Sequence, residues 1–203
     1  MSPEFVRLIV GRYPTATAWE RLQLRRRLRR SHYESLLPYL PNSGNLLEID
    51  CDVGQLRWFL EEARSPLQYY GSNTDRRKIA LGKTSFGEKA GRLFSGKIRH
   101  WKWLPTFSAI TLLEGLVQLP IPKQKELFDH ACNRLEPRSD SVLLLKIPPP
   151  LRGLARWRTR TVFAVQNQDV YLQWGREQGF EGQSVTLPDP PISQLLVFKT
   201  TRK

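Results

Sequence analysis

Acids alternate and then close on a glycine in Glu48-Ile49-Asp50-Cys51-Asp52-Val53-Gly54. The segment follows the apolar pair Leu46-Leu47 and precedes Gln55-Leu56, where a helical pattern begins. In α/β sheets ligands sit at the carboxyl ends of strands, so this loop is the first place to look for chemistry. Asp50 and Asp52 read either as part of a cofactor or metal site, or as acids on a surface loop. The metal reading finds no echo elsewhere, because His32, His100 and His130 are scattered and no Cys/His spacing resembles a zinc motif. His100-Trp101-Lys102-Trp103 could stack an adenine or a nucleobase, or cover a sheet edge with its tryptophans. Glu114 could line an acceptor pocket or cap a helix, and Lys146 could face a substrate or snorkel from a strand end. Six arginines fall in residues 21–30, RLQLRRRLRR, and Arg152, Arg156, Arg158 and Arg160 form a second basic cluster. Either cluster could meet phosphate or an anionic lipid surface, or be a solvated face.

These residues need a frame. The arginine-rich stretch reads as helix, with Trp19, Leu22, Leu24, Leu28 and Leu36 as a ragged apolar stripe ending at Pro38. PNSG (41–44) is a turn, and the first strand follows over residues 46–49. The pattern then predicts a helix over 55–64, a strand over 67–71, a helix over 75–82 and a brief strand around Ile98. Residues 107–113 read as a buried strand and 123–135 as an amphipathic helix. Residues 141–147 read as a strand stopped by Pro148-Pro149-Pro150, which remove backbone donors. A helix near 168–179 and two strands, 182–187 and 194–199, complete the chain. Strand–helix alternation predicts an α/β sandwich with a mainly parallel sheet and an antiparallel closing pair.

Composition narrows the class. The chain has 203 residues, 40% hydrophobic, and 32 Lys and Arg against 19 Asp and Glu, a net charge of +13. That excludes a disordered or collagen-like chain and points to an anionic partner: a membrane surface, nucleic acid or an acidic protein. No apolar run approaches the ~18–20 residues of a membrane-spanning helix. Two cysteines imply no disulfide framework, and with no recognisable signal peptide the expected location is cytoplasmic, including the inner membrane surface.

In order and spacing, the segments resemble class I S-adenosylmethionine (SAM)-dependent methyltransferases of the small stand-alone bacterial type. Glu48 to Leu56 resembles their first motif, and Tyr69-Tyr70-Gly71-Ser72-Asn73 with Asp75 to Leu81 resembles the second strand and its helix. Phe107 to Pro120, Lys125 to Lys146 and Tyr171 to Glu181 resemble the later segments. The resemblance implies a Rossmann-like sandwich with a mostly parallel seven-stranded sheet and an antiparallel C-terminal hairpin. It also implies SAM as the cofactor, contacted by Glu48, Asp50, Asp52, Gly54, Asn73, His100, Trp101 and Ser108.

The motif is degenerate. Asp50 and Asp52 stand where the family's loop has glycines, Asn73 where an acid binds the ribose hydroxyls, Arg99 or His100 where an acid lies near the adenine, and Ser108 where the fourth strand has an acid. Asparagine forfeits the charge-assisted bond to a hydroxyl. SAM binding is therefore expected to be weak or lost. Three functions follow: a methyltransferase on a small, lipid-linked or saccharide-linked acceptor; a non-catalytic pseudo-methyltransferase whose basic surface binds an anionic partner or protein assembly; or an RNA methyltransferase, argued from charge alone. The basic surface is assigned to Arg25, Arg26, Arg27, Arg29, Arg30, Arg152, Arg156, Arg158 and Arg160. The expected division is a basic helical extension over 1–40 and the methyltransferase-like domain over 41–203. Oligomeric state is not legible.

Overall fold

The computed structural model describes residues 1–96, 104–148, 166–187 and 193–201. The chain divides into two compact units, Met1–Pro105 and Thr106–Lys203. In the first unit the strands lie in the order β3 (Leu93–Ser95), β2 (Gln68–Asn73), β1 (Asn45–Ile49), and in the second in the order β4 (Ala109–Leu112), β5 (Val142–Ile147), β7 (Gln194–Thr200), β6 (Phe180–Thr186).

The first unit opens with a helix that the sequence pattern did not suggest. α1 (Pro3–Gly11) starts with proline in its first turn, where the missing N–H costs nothing, and Ser2 Oγ accepts from Phe5 N at 3.2 Å. It buries Val6, Ile9 and Val10. α2 (Ala18–Ser31) begins with a capping box: Thr17 Oγ1 accepts from Glu20 N, and Glu20 Oε2 accepts from Thr17 N. It ends at His32 in the left-handed conformation, and Leu24, Leu28 and Ser31 are its buried side. Trp19 and Leu22 were expected in the apolar stripe. They are 64% and 37% exposed, because at 100° per residue they lie on the arc opposite Leu24 and Leu28. A 3-10 segment, Tyr33–Tyr39, contains Pro38 and leads to the sheet.

β1 (Asn45–Ile49) and β2 (Gln68–Asn73) pair in parallel, with Ile49 opposite Ser72. β3 (Leu93–Ser95) extends this sheet, with Asn73 opposite Ser95. The third strand thus precedes the expected position; Ile98 lies outside the described residues. α3 (Gln55–Glu62) follows β1, and α4 (Arg76–Phe86) follows β2, running four residues past the expected end at Gly82. The close approach of α4 explains that glycine. A Cβ on Gly82 would stand 2.6 Å from the Val53 carbonyl oxygen, so the helix rests directly on the loop after β1.

In the second unit β4 (Ala109–Leu112) and β5 (Val142–Ile147) are parallel, and every residue of both is buried. β7 (Gln194–Thr200) runs antiparallel to β5 and to β6 (Phe180–Thr186), giving the expected closing hairpin. The PDPP turn between them falls outside the described residues. α5 (Ile121–Cys132) stops before Leu135, since the chain there turns to bridge Phe107: Phe107 N donates to Arg134 O at 3.0 Å, and Glu136 N to Phe107 O at 2.9 Å. α6 (Gln168–Glu177) packs Tyr171 and Trp174 edge-on, and Phe128 meets both Trp174 and Phe198 in T-shaped contacts. The Tyr171 hydroxyl donates to Gln124 Oε1 at 2.6 Å, which satisfies two buried polar groups at once.

Candidate functional site: the loop after β1

The loop keeps the backbone of a glycine-rich turn with aspartates at two of its three left-handed positions. Asp50 has φ 61°, Asp52 φ 54° and Gly54 φ 80°. An L-residue in this region costs about 1–2 kcal/mol, and aspartate tolerates it better than most. Turn closure comes from Cys51 N donating to Ser72 O (2.8 Å) and Gly54 N donating to Cys51 O (2.8 Å). Gly54 then starts α3, and a Cβ there would meet the Phe86 ring at 2.6 Å. Loop shape is therefore fixed by β2 on one side and α4 on the other.

What fills the loop is its own side chains. Asn73 Nδ2, at the end of β2, donates to Asp50 Oδ1 at 2.8 Å, and Asn73 Oδ1 accepts from Asp75 N at 2.7 Å. Asp52 lies between two cations: Arg27 Nη1 at 3.2 Å from Oδ2 and Lys78 Nζ at 2.9 Å from Oδ1. Arg27 Nη2 also donates to the Asp50 carbonyl at 2.9 Å. Two further groups tie the N-terminal helices to this loop and its helix. Tyr13 OH donates to Val53 O at 3.2 Å, and Gln55 Nε2 donates to Leu24 O at 3.0 Å.

Glu48 was expected at a cofactor. It is 1% exposed, and its Oε2 accepts from the Tyr69 hydroxyl at 2.6 Å inside the unit. Burial first, and then the Glu48 carboxylate, push the Tyr69 hydroxyl and the Cys51 thiol well above their ordinary ranges; Arg27 opposes the shift at Cys51. Both therefore stay protonated at neutral pH.

The structure thus brings Glu48, Asp50, Asp52, Gly54 and Asn73 together in the first unit. Ser108 belongs to the second unit and precedes β4, at the amino end of the strand rather than the carboxyl end where ligands sit. It is fully buried, with its carbonyl accepting from Val142 N at 2.9 Å. His100, Trp101, Arg152, Arg156, Arg158 and Arg160 lie outside the described residues. Among the described residues no group of three His, Cys, Asp or Glu could hold a metal ion.

Arg27 does not share the exposure of its neighbours. It was counted with the basic surface, yet its side chain is 13% exposed and turned into the loop. The signal lay in the spacing: Leu24, Arg27, Leu28 and Ser31 recur every three or four residues, the buried side of the helix. Replacing Arg27 by Met keeps the apolar stem and removes both polar contacts. Such bonds contribute ~1.5–3 kcal/mol each, and Lys78 still partners Asp52, so the expected loss is about 2 kcal/mol. The urea midpoint should fall with an unchanged slope; an unmoved midpoint refutes the clamp.

The loop's polar groups are taken up internally: Asp50 and Asn73 are bonded to each other, and the Asp50 backbone oxygen is held by Arg27.

No protein-family model matches the chain, and no curated protein matches it by sequence. Solved structures do match by fold. A SAM-dependent methyltransferase from Archaeoglobus fulgidus aligns at 12% identity over 86% of this chain and 94% of that one, with a TM-score of 0.69. Magnesium protoporphyrin IX methyltransferase from Synechocystis with bound S-adenosylhomocysteine aligns at 14% identity, over 88% and 87%, with a TM-score of 0.64. The same enzyme with bound SAM gives 13% identity, 87% and 83%, and a TM-score of 0.63. With the strand order and closing hairpin, these likenesses give the chain a class I methyltransferase fold.

Proposed function

We propose that this chain is a non-catalytic methyltransferase-fold protein of the cytoplasm, whose former cofactor loop anchors the N-terminal helices and whose basic surface binds an anionic partner. The observation that carries this reading is the bond from Asn73 Nδ2 to Asp50 Oδ1, which joins the two positions a SAM molecule would have to part. SAM is a possible ligand, since the Synechocystis enzyme of the same fold binds it. Breaking that bond, and lacking an acid for the ribose, costs two interactions of ~1.5–3 kcal/mol, or a few powers of ten in affinity.

Calorimetry of the purified chain with SAM tests this directly. No heat at millimolar SAM is the expected result. Micromolar affinity overturns the reading and leaves a methyltransferase acting on a small, lipid-linked or saccharide-linked acceptor. Nothing in the described residues favours an RNA methyltransferase over either.

A further inference from the structure

α2 has two working sides. The inward side, with Leu24, Arg27 and Leu28, is bolted to the core and the loop. On the outward side, Trp19, Leu22, Arg25, Arg26, Arg29 and Arg30 share an arc about 140° wide at 100° per residue. All six are exposed. No acid lies on that arc: Glu20 sits on the other side of the helix, held in the capping box by Thr17. We propose that this face docks on an anionic lipid bilayer, with Arg25, Arg26 and Arg29 over the headgroups and Trp19 and Leu22 entering the boundary with the acyl chains.

Two features select a bilayer from the anionic partners. The first is chemical mixture. A tryptophan 64% exposed and a leucine 37% exposed stand among the arginines rather than beneath them. An interface of headgroups accepts an indole with its N–H wet and its ring in hydrocarbon, and accepts leucine beside it. A nucleic acid backbone offers the arginines the same phosphate charge, but a leucine side chain neither stacks on a base nor bonds to one. The second feature is preorganisation. The helix is already formed, capped at Thr17 and fixed by Arg27, so docking orders few groups beyond the arginine side chains. Among the described residues no helix is long and apolar enough to cross a membrane, so contact through this face is peripheral.

The proposal rests on reading the chain as a binder of an anionic partner, yet its test is separate from that of the loop. The full chain is floated with phosphatidylcholine vesicles with and without phosphatidylglycerol. Binding is expected only with the anionic lipid, weakening as salt is added. R25S/R26S/R29S should lower the partition roughly a hundredfold, from the ~1 kcal/mol that each basic residue gains near such a surface. Vesicles carrying brominated acyl chains should quench tryptophan fluorescence, and Trp19→Phe should remove most of that quenching while the protein still binds. This last variant decides the matter should the triple variant fail to fold. Equal binding to both vesicles, undiminished binding by the triple variant, or quenching unchanged in Trp19→Phe overturns the proposal. So does capture by a homopolymeric RNA at a salt concentration where vesicles are not bound. Vesicle binding together with micromolar SAM affinity would remove the non-catalytic reading and leave this one standing.

Discussion

Glycine at positions 50 and 52 together with aspartate at 73 raises SAM affinity by roughly two powers of ten or more. The gain comes from two sources. An acid at 73 restores a charge-assisted bond to a ribose hydroxyl, ~1.5–3 kcal/mol on its own. Removing the Asp50 carboxylate clears the space next to it and ends the bond that a ligand must otherwise break. The changes must be made together. Asn73→Asp alone sets two carboxylates where Asp50 Oδ1 and Asn73 Nδ2 now lie 2.8 Å apart, and like charges at that range disfavour ionisation and destabilise the end of β2. Asp50→Gly alone opens space but leaves an amide facing the ribose.

Stability should change less than affinity. Glycine relieves the left-handed cost at φ 61° and 54°, about 1–2 kcal/mol per residue, but adds freedom to the unfolded chain and strips Arg27 and Lys78 of Asp52. These effects oppose each other. Calorimetry measures the affinity, and a urea midpoint checks that the triple variant is folded. A folded triple variant with no gain in SAM heat would mean that the loop is not what limits binding.

How far the sequence carried this picture depends on the residue. β1, its loop, β2 and the closing hairpin were legible because apolar runs are bounded there by turn residues, and because Glu48 to Leu56 keeps the family's spacing where it changes the types. α1 was not legible. It has nine residues, too few to be stable alone, and its apolar Val6, Ile9 and Val10 declare a helix only once they have a core to enter. β3 escaped for a similar reason, since a three-residue strand leaves almost no period to detect. Within the site, the identity of Asp50, Asp52 and Asn73 signalled a departure, but not its direction. Sequence could not say that the departed residues bond to each other, because that depends on φ at Asp50 and on the parallel register that sets Ile49 beside Ser72. Arg27 was hidden among its neighbours. Six arginines in a row of ten look alike until the helix's angular period sorts the one facing inward from those facing out.

Alkaline pH should unfold the first unit before the second. Burial raises the hydroxyls of Tyr13 and Tyr69 and the thiol of Cys51 well above their ordinary values, with the Glu48 carboxylate adding to all three. All three lie in the first unit; in the second, burial pushes Tyr171 up to about 12. In each case the folded state keeps a proton that the unfolded chain releases, from about pH 8.5 for a thiol and about pH 10 for a phenol. The unfolded state then binds fewer protons, so stability is full below those values and is lost as pH rises through them. Each group contributes a slope of about 1.4 kcal/mol per pH unit once its unfolded form is ionised. Three groups give the first unit roughly 4 kcal/mol per unit above pH 10, against roughly 1.4 for the second. A domain of ordinary stability, ~5–15 kcal/mol, has room for only a few units of such a slope. Circular dichroism should therefore show the first unit's structure lost on titration from pH 9 to 12, while the second unit, with only Tyr171 raised, keeps its structure over that range. Phenolate absorbance from Tyr13 and Tyr69 should rise with that loss, and Tyr171→Phe should leave it unmoved. Phenolate signal from Tyr69 appearing before any loss of structure would contradict the burial argument, and with it the closed packing that holds Glu48, Cys51 and the loop in place.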